Sequence, residues 1–283
     1  MSKIDTALRQ ATAALKAAGC DSPRLDAVLL LAEATGLAPD RVRIETDRDI
    51  APEAEARFKA LLVRRAARQP MAQILGRREF WSLTFRVTPD VLDPRPDSET
   101  LVAAVLERVA DRQAKLRLLD FGTGSGCLLL SLLHELREAH GLGIDQSEAA
   151  LVVARGNAAS LGLEARATFQ LGDWGSGLAG AFEIVISNPP YIGSGTIAAL
   201  APEVARHEPL SALDGGADGL EAYRRLIPDA ARLLAPDGLV ALEIGQGQET
   251  AVAALLERAG FGAVAMAADL GGTIRTLLAR KSR

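Results

Sequence analysis

A buried strand halts at a pair of prolines in the second half of this chain, and that junction limits the folds open to it. Phe182-Glu183-Ile184-Val185-Ile186 is an apolar, β-branched run of the kind found in parallel sheets covered on both faces. Ser187-Asn188-Pro189-Pro190-Tyr191-Ile192 follows at once. Two successive prolines have no N–H to give a ladder, and each biases its predecessor toward extended backbone. Asn188 is therefore expected at the carboxyl end of a central strand, where open α/β sheets place their ligands.

The surroundings agree with such a sheet. From residue 117 strand and helix patterns alternate, the sign of a doubly wound, mostly parallel architecture. Strands are expected at Arg117–Phe121, Leu142–Asp145, Ala167–Leu171, Phe182–Ser187, Leu239–Ile244, Ala263–Met266 and Ile274–Ala279. Helices are expected after Gly126, Ser147, Gly219 and Gln248, and Gly271-Gly272 suggests that the last strand runs antiparallel. Ahead of this region, Ile4, Leu8, Ala11 and Leu15, then Leu25, Val28 and Leu29, then Phe58, Leu61 and Leu62 recur at helical spacing. They predict a small bundle of three helices, with Ser22-Pro23 as a cap. The third helix carries Arg57, Lys59, Arg64, Arg65 and Arg68. The plain reading is a solvated face; the sharper one is a docking surface for an acidic or RNA-associated partner. Between them Trp81, Leu83, Phe85 and Val87 alternate with polar residues as a strand does, and with Phe80 the segment has the makings of a hairpin. Pro94 and Pro96 stiffen the stretch that follows, and Asp97 or Ser98 is placed to cap a helix running from Glu99 to about residue 111.

Composition excludes several classes. With 48% hydrophobic residues in 283, the chain can fill a sizeable core, and its net charge of −4 gives no sign of a broad nucleic-acid surface. No apolar run approaches the ~20 residues of a membrane span. Met1 to Asp5 lack the apolar core of a secretory signal, and Cys20 and Cys127 are few and far apart. A reduced, cytoplasmic location is expected. His134, His140 and His207 form no ligand cluster with the cysteines, so no metal is expected.

Two motifs carry chemistry. Asp120-Phe121-Gly122-Thr123-Gly124-Ser125-Gly126 follows a strand and opens a helix, and Asp145 ends the next strand. Glycines permit a tight turn and close approach of backbone to a ligand, and the carboxylate is placed to accept both hydroxyls of a ribose. An adenosine-containing cofactor is implied. The Gly-x-Gly-x-Gly spacing, one residue shorter than a dinucleotide fingerprint, resembles that of class I S-adenosylmethionine-dependent methyltransferases. Gly172-Asp173-Trp174 after the third strand is placed to hold the adenine, or Trp174 is a core or rim aromatic; both readings stand. The second motif, Asn188-Pro189-Pro190-Tyr191, resembles the signature of methyltransferases acting on planar nitrogen. Such a nitrogen delocalises its lone pair and is a poor nucleophile. Asn188 Oδ1 and the Pro189 carbonyl are placed to accept its two N–H donors, and Tyr191 to cover its face. Methyl transfer then becomes mostly a matter of positioning.

The target is narrowed by resemblance. Pro70-Met71-Ala72-Gln73-Ile74-Leu75-Gly76, Glu79-Phe80-Trp81, Pro94-Arg95-Pro96-Asp97-Ser98-Glu99, His207-Glu208-Pro209 and Asp269-Leu270-Gly271-Gly272-Thr273-Ile274-Arg275, together with the two motifs above, are similar to the HemK/PrmC family of release-factor glutamine methyltransferases. The resemblance covers most of residues 69–280 in order. It implies an α/β class I (Rossmann-like) methyltransferase with a seven-stranded, mostly parallel sheet. A helical substrate-docking domain at 1–75, a β-hairpin and extended linker at 76–98, and a catalytic domain at 99–283 complete the expectation. It also implies that S-adenosylmethionine is held by Gly122, Thr123, Gly124, Ser125, Gly126, Asp145, Trp174 and Asn188, leaving S-adenosylhomocysteine as product. Substrate positions map to Asn188, Pro189, Pro190 and Tyr191, of which Asn188, Pro189 and Tyr191 are the catalytic set. The implied substrate is the Gly-Gly-Gln glutamine of class I peptide chain release factors, methylated at N5 in support of translation termination. A monomer without direct nucleic-acid or membrane partners is expected. Asp93 departs from the family's apolar residue before Pro-Arg-Pro, and a charge there is costly if buried. Arg95 and Glu99 are expected as an ion pair ordering the linker, or as part of the pocket wall.

Rival readings are an adenine-N6 nucleic-acid methyltransferase, a glutamine methyltransferase of a ribosomal protein, a non-catalytic adaptor and a nicotinamide-dependent oxidoreductase. The first must flip a base and grip phosphates with many basic groups, whereas this chain is net acidic and has no room for a target-recognition domain beyond the helical bundle. Intact cofactor and acceptor motifs disfavour the adaptor, and the glycine spacing disfavours the oxidoreductase.

Overall fold

The computed structural model describes residues 2–282 and divides into two compact units. The first comprises residues up to Gly76 together with Ala201–His207. Its helices are α1 (Ile4–Ala17), α2 (Pro23–Thr35), α3 (Pro39–Ile44), α4 (Pro52–Ala66) and α5 (Met71–Leu75). The apolar stripes close on one another: Ile4, Leu8, Leu15, Leu30, Leu31, Val42, Ile50 and Phe58 share one core. The three expected helices are present. The short α3 and α5 were not expected, because a five- or six-residue helix shows barely one turn of periodicity. Pro23, Pro39 and Pro52 each occupy the first helical turn, where a missing N–H is harmless. Ser22 precedes α2 without a capping hydrogen bond among the described residues.

The second unit comprises Arg77–Leu200 together with the described residues from Glu208 onward. It begins with β1 (Arg77–Phe80) and β2 (Leu83–Arg86), an antiparallel hairpin. Trp81 is therefore not in a strand: Trp81 and Ser82 form the two-residue turn with φ of +53° and +57°. Left-handed backbone at both positions matches the twist of the flanking strands, and tertiary bonds override the residues' poor intrinsic fit. Trp81 N donates to Glu99 Oε1 at 2.7 Å and Trp81 Nε1 to Glu135 Oε1 at 2.9 Å. Glu99 is thus a turn anchor, not the partner of Arg95.

The chain continues as α6 (Glu99–Arg108), β3 (Arg117–Phe121), α7 (Cys127–Glu135), β4 (His140–Asp145), α8 (Glu148–Ser160), β5 (Ala167–Leu171), β6 (Phe182–Ser187), α9 (Pro202–His207), α10 (Glu221–Leu233), β7 (Leu234–Glu243), α11 (Glu249–Arg258), β8 (Ala265–Ala268) and β9 (Ile274–Arg280). Strands order as β5-β4-β3-β6-β7-β9-β8. The first five are parallel, and β9 runs antiparallel to both β7 and β8. Alternate strand residues face opposite cores. Leu118, Ile184, Ile186 and Ala241 pack with α6 and α7, while Leu119, Val185, Val240 and Leu242 pack with α10 and α11. Two-sided burial explains why these strands are continuously apolar. Ser147 caps α8 by accepting from Ala150 N at 3.2 Å, whereas Ser98 heads α6 without such a bond among the described residues.

The basic residues of α4 divide in two. Arg57 and Arg64 are exposed, and Lys59 pairs with Glu55 on the surface at 2.8 Å. Arg65 and Arg68 instead turn inward. Arg65 is 6% exposed. It donates to Asp26 Oδ2 at 2.7 Å and to Glu203 Oε1 at 2.8 Å. Arg68 grips both oxygens of Glu203 at 2.6 Å. The two guanidiniums hold the Glu203 carboxyl down at about 2 against the opposing effect of burial. Neither sequence-based reading of this face covers these two residues. Removing one member of a buried charge cluster leaves the others unpaired, at a cost of about 3–5 kcal/mol. Arg65→Ala is accordingly expected to destabilise the first unit by about that amount, seen as an early transition in urea unfolding; a midpoint equal to wild type would show the cluster to be energetically idle.

Candidate functional site

The carboxyl ends of β3, β4 and β6 converge on one cleft of about 1000 Å³, within the second unit. Its floor is the glycine turn after β3. Gly122, Gly124 and Gly126 have φ of +68°, +54° and +80°, backbone that side-chain-bearing residues rarely adopt. Gly122 N and Thr123 N both donate to Ile144 O, at 2.8 and 3.0 Å, so the turn is fastened to the end of β4. Gly143 lets it come that close: a Cβ there would lie 2.8 Å from Thr123 Oγ1 and 2.7 Å from the Phe169 ring. Thr123 and Ser125 are buried and serve the turn itself. Thr123 Oγ1 donates to Asp120 Oδ2 at 2.7 Å, and Ser125 O accepts from Asn157 Nδ2 at 2.9 Å. Burial pushes the Asp120 carboxyl up to about 7 despite that bond. Gly126 is the residue just ahead of α7, and its N–H closes the turn by donating to Thr123 O at 2.8 Å.

Asp145 sits where β4 ends. Its Oδ2 accepts from Gly124 N at 2.8 Å and its Oδ1 from Ser147 N at 2.9 Å. Each oxygen keeps a second lone pair for a guest. Trp174, with φ of +50°, lines the same cleft. Its ring meets Phe121 edge-on, the centroids 6.3 Å apart. The ring closes the core on one side and walls the cleft on the other.

Asn188 lines the cleft opposite, half-buried, with Nδ2 donating to Ser98 Oγ at 3.3 Å. Pro190 lines it too. Pro189 is buried beneath, and the Tyr191 ring lies outside the lining, against Gly245. The Tyr191 hydroxyl donates to Glu243 Oε1 at 3.3 Å, and burial raises its pKa well above the phenol range. The structure thus brings Gly122, Thr123, Gly124, Ser125, Asp145, Trp174, Asn188 and Pro190 to one cavity wall, with Gly126, Pro189 and Tyr191 one layer behind.

Two features escaped the sequence reading, and two that it raised are now placed. Ser98 and Glu243 meet Asn188 and Tyr191 from elements far along the chain. Asn157, fully buried on α8, bonds Ser125 O and both backbone groups of Arg86. Arg95 bonds both oxygens of Glu208, at 2.7 and 2.9 Å, and lines the cleft mouth beside Pro94 and Pro209. The departure at Asp93 is buried, 6% exposed, with Arg78 Nε 3.8 Å away. Of the residues that escaped, Glu243 had a local signal, a lone acid closing an apolar strand.

The cleft suits an adenosine-bearing ligand. Its walls are mostly apolar, and its polar groups converge from the glycine turn, Asp145 and Asn188. Among the described residues there is no cluster of acidic, His and Cys side chains able to hold a metal, and no helix long and apolar enough to cross a membrane.

Comparison with known proteins extends this geometry. Residues 6–76 match the PrmC N-terminal domain and residues 112–258 a methyltransferase domain. The chain is 50% identical over 270 residues to a release factor glutamine methyltransferase of Rhodospirillum rubrum, covering 94% of this chain and 82% of that one. It is 46% identical over 274 residues to the enzyme of that name from Cereibacter sphaeroides, covering 97% of each. Among solved structures, a T. thermophilus 16S rRNA N2 methyltransferase in complex with AdoMet and guanosine superposes with a TM-score of 0.53 at 21% identity, over 72% of this chain and 49% of that one; it shows the shared fold alone. With a PrmC N-terminal domain ahead of a methyltransferase domain, and near-full-length identity of this order, the chain belongs to the release factor glutamine methyltransferase family.

Proposed function

We propose that this enzyme methylates the side-chain amide nitrogen, N5, of the glutamine in the Gly-Gly-Gln loop of class I peptide chain release factors. The observation that carries the reading is Asn188, facing the glycine-floored cleft from the end of β6 in a chain of this family. S-adenosylmethionine, when bound, supplies an electrophilic methyl group on a sulfonium and leaves as S-adenosylhomocysteine. The turn Gly122–Gly126 with Asp145 and Trp174 would hold it. The rest of the work is orientation. A carboxamide nitrogen is weakly nucleophilic, and Asn188 Oδ1, accepting one of its N–H groups, fixes its plane and raises its electron density. Pro190 lines the cleft beside Asn188 and limits where the amide can lie. Tyr191 contributes by stiffening the corner through Glu243, in place of the stacking role read from the sequence.

The first unit we take as the docking domain, residues 1–75, with 76–98 as linker and 99–283 as catalytic domain. A cytoplasmic monomer acting on protein, without nucleic acid as a partner, is consistent with the net charge of −4. Incubation with labelled S-adenosylmethionine and, in parallel, a release factor, a ribosomal protein and duplex DNA tests the assignment. Mass spectrometry should place the label on the release-factor glutamine, and label on either other substrate would overturn it.

Two substitutions test the site. Asn188→Ala should lower turnover by about 10² or more, by analogy with loss of one preorganised polar group; near-normal initial rates would remove Asn188 from the mechanism. Asp145→Ala should weaken cofactor binding by about tenfold or more, the scale of a hydrogen bond to a charged group. Calorimetry with S-adenosylhomocysteine measures it directly, and unchanged affinity would sink the ribose assignment.

A further inference from the structure

Three stretches of main chain meet behind the Asn-Pro-Pro-Tyr corner, and one side chain ties them together. Gln248 stands immediately ahead of α11. Its Nε2 donates to Tyr191 O and to Gly219 O, each at 3.1 Å, and its Oε1 accepts from Gly245 N at 3.0 Å. A primary amide offers two N–H donors and one carbonyl oxygen, and all three are engaged. The partners also dictate which end is which. Turned over, the amide would set its oxygen against two carbonyls and its nitrogen against an N–H. Because every partner is a main-chain group, what Gln248 fixes is the path of the backbone.

The fit around this amide leaves no room for side chains. A Cβ at Gly219 would lie 2.4 Å from Tyr191 O and 2.8 Å from Gln248 Nε2. One at Gly215 would lie 2.8 Å from both Pro190 O and Tyr191 Cα, and one at Gly245 would lie 3.1 Å from Tyr191 Cδ2. The loop ahead of α10 therefore lies directly on the corner. Ile192 N donates to Leu213 O at 3.0 Å and Gly215 N to Ile192 O at 2.8 Å, which continues the contact. The corner itself has little to hold it. Ser187 secures its strand side, but Pro189 and Pro190 bring no N–H to any partner. Their fixed φ also makes Asn188 to Tyr191 a stiff piece, so a shift at one end is passed to the other. Gln248 clasps the far end of that piece, at Tyr191 O.

We propose that Gln248 is a positioning residue, clasping Tyr191 O so that the corner holds Asn188 Oδ1 where it accepts the N–H of the substrate nitrogen. The proposal rests on the reading of Asn188 as the acceptor of that nitrogen. Gln248 is not part of the cleft lining and acts only through the stiff turn. A misplacement of about 1 Å at a reacting group can cost on the order of 10²-fold in rate. Loss of one clasp, with Ser187 still in place, should cost part of that.

The test uses Gln248→Met, Gln248→Glu, Asn188→Ala and the double Gln248→Met/Asn188→Ala. Each is measured for kcat and KM with release factor, for S-adenosylhomocysteine affinity by calorimetry and for melting temperature. All assays run well below every melting point. Gln248→Met keeps the length of the side chain and removes all three bonds. Gln248→Glu keeps an acceptor for Gly245 N but, as a carboxylate, has no donor for the two carbonyls. Both should lower kcat about tenfold, the scale of one net hydrogen bond, with KM and cofactor affinity within about twofold of wild type. In the Asn188→Ala background Gln248→Met should change kcat by less than about twofold, because a residue acting through Asn188 has nothing left to position. Losses that multiply in the double variant overturn the proposal, since a general loosening of the fold would act in either background. Full kcat in either Gln248 variant overturns it too, as does a drop in cofactor affinity as large as the drop in kcat. Gln248→Glu keeps the question answerable if Gln248→Met fails to fold. Asn188→Ala separates the two ideas. If it is impaired while Gln248→Met is fully active, the clasp alone is wrong; if it is fully active, the reading beneath falls and the clasp with it.

Discussion

The hydrogen bond from Ser187 Oγ to Phe121 O, at 2.7 Å and fully buried, holds the site together where the sheet can no longer do so. Phe121 and Ser187 are register partners at the last rung of the β3–β6 ladder. Beyond it Pro189 and Pro190 have no N–H to donate, so the ladder must end. The serine side chain makes the closing bond in their stead. On the other side of β3, Gly122 and Thr123 share the carbonyl of Ile144, and beyond β4 Gly172 N donates to Asp145 O at 3.0 Å. Four strand ends are thereby tied edge to edge. The glycine turn, Asp145 and Asn188 belong to one rigid rim, which is what a reaction governed by placement requires.

Most of the second unit was legible because two-sided burial writes itself into sequence as unbroken apolar runs. Arg117–Phe121, Ala167–Leu171 and Phe182–Ser187 have the expected bounds, and β9 is antiparallel as its glycine pair suggested. Other bounds shifted: β7 begins at Leu234, five residues before its apolar run, because the ladder tolerates the polar turn at Pro236-Asp237-Gly238. What stayed hidden depends on partners distant in sequence. Arg65 looks like any helix-surface cation until Glu203, 138 residues later, comes to meet it. Arg95 was paired with Glu99 by proximity, yet Glu208, 113 residues away, is its partner. Trp81 fits the alternation of a strand, and only the bonds to Glu99 and Glu135 show that it turns a corner.

The linker shows how a costly charge is accommodated. Burial raises the pKa of Asp93 and of Glu208, while Arg78 and Arg95 act against it at the first and Arg95 at the second. The four groups sum to zero, and the Arg95–Glu208 pair is bidentate in effect, one nitrogen reaching both oxygens. Replacing such a cluster with apolar residues of equal volume is often neutral or favourable, so stability is a poor reason for it. Its location supplies a better one. Pro94, Arg95 and Pro209 line the cleft mouth, and directional charge contacts fix that wall more tightly than packing of interchangeable aliphatics would.

The charges of the cleft also bear on what enters it. Asp90, Asp145, Asp173 and Arg95 are the charged residues of the cavity wall; the Arg95 guanidinium is held by Glu208, and the Asp173 carboxyl by Arg225. Under the proposed reading this wall has no cationic duty to perform: a neutral carboxamide brings no charge to be matched, and its N–H groups ask only for acceptor oxygens such as the one on the Asn188 side chain.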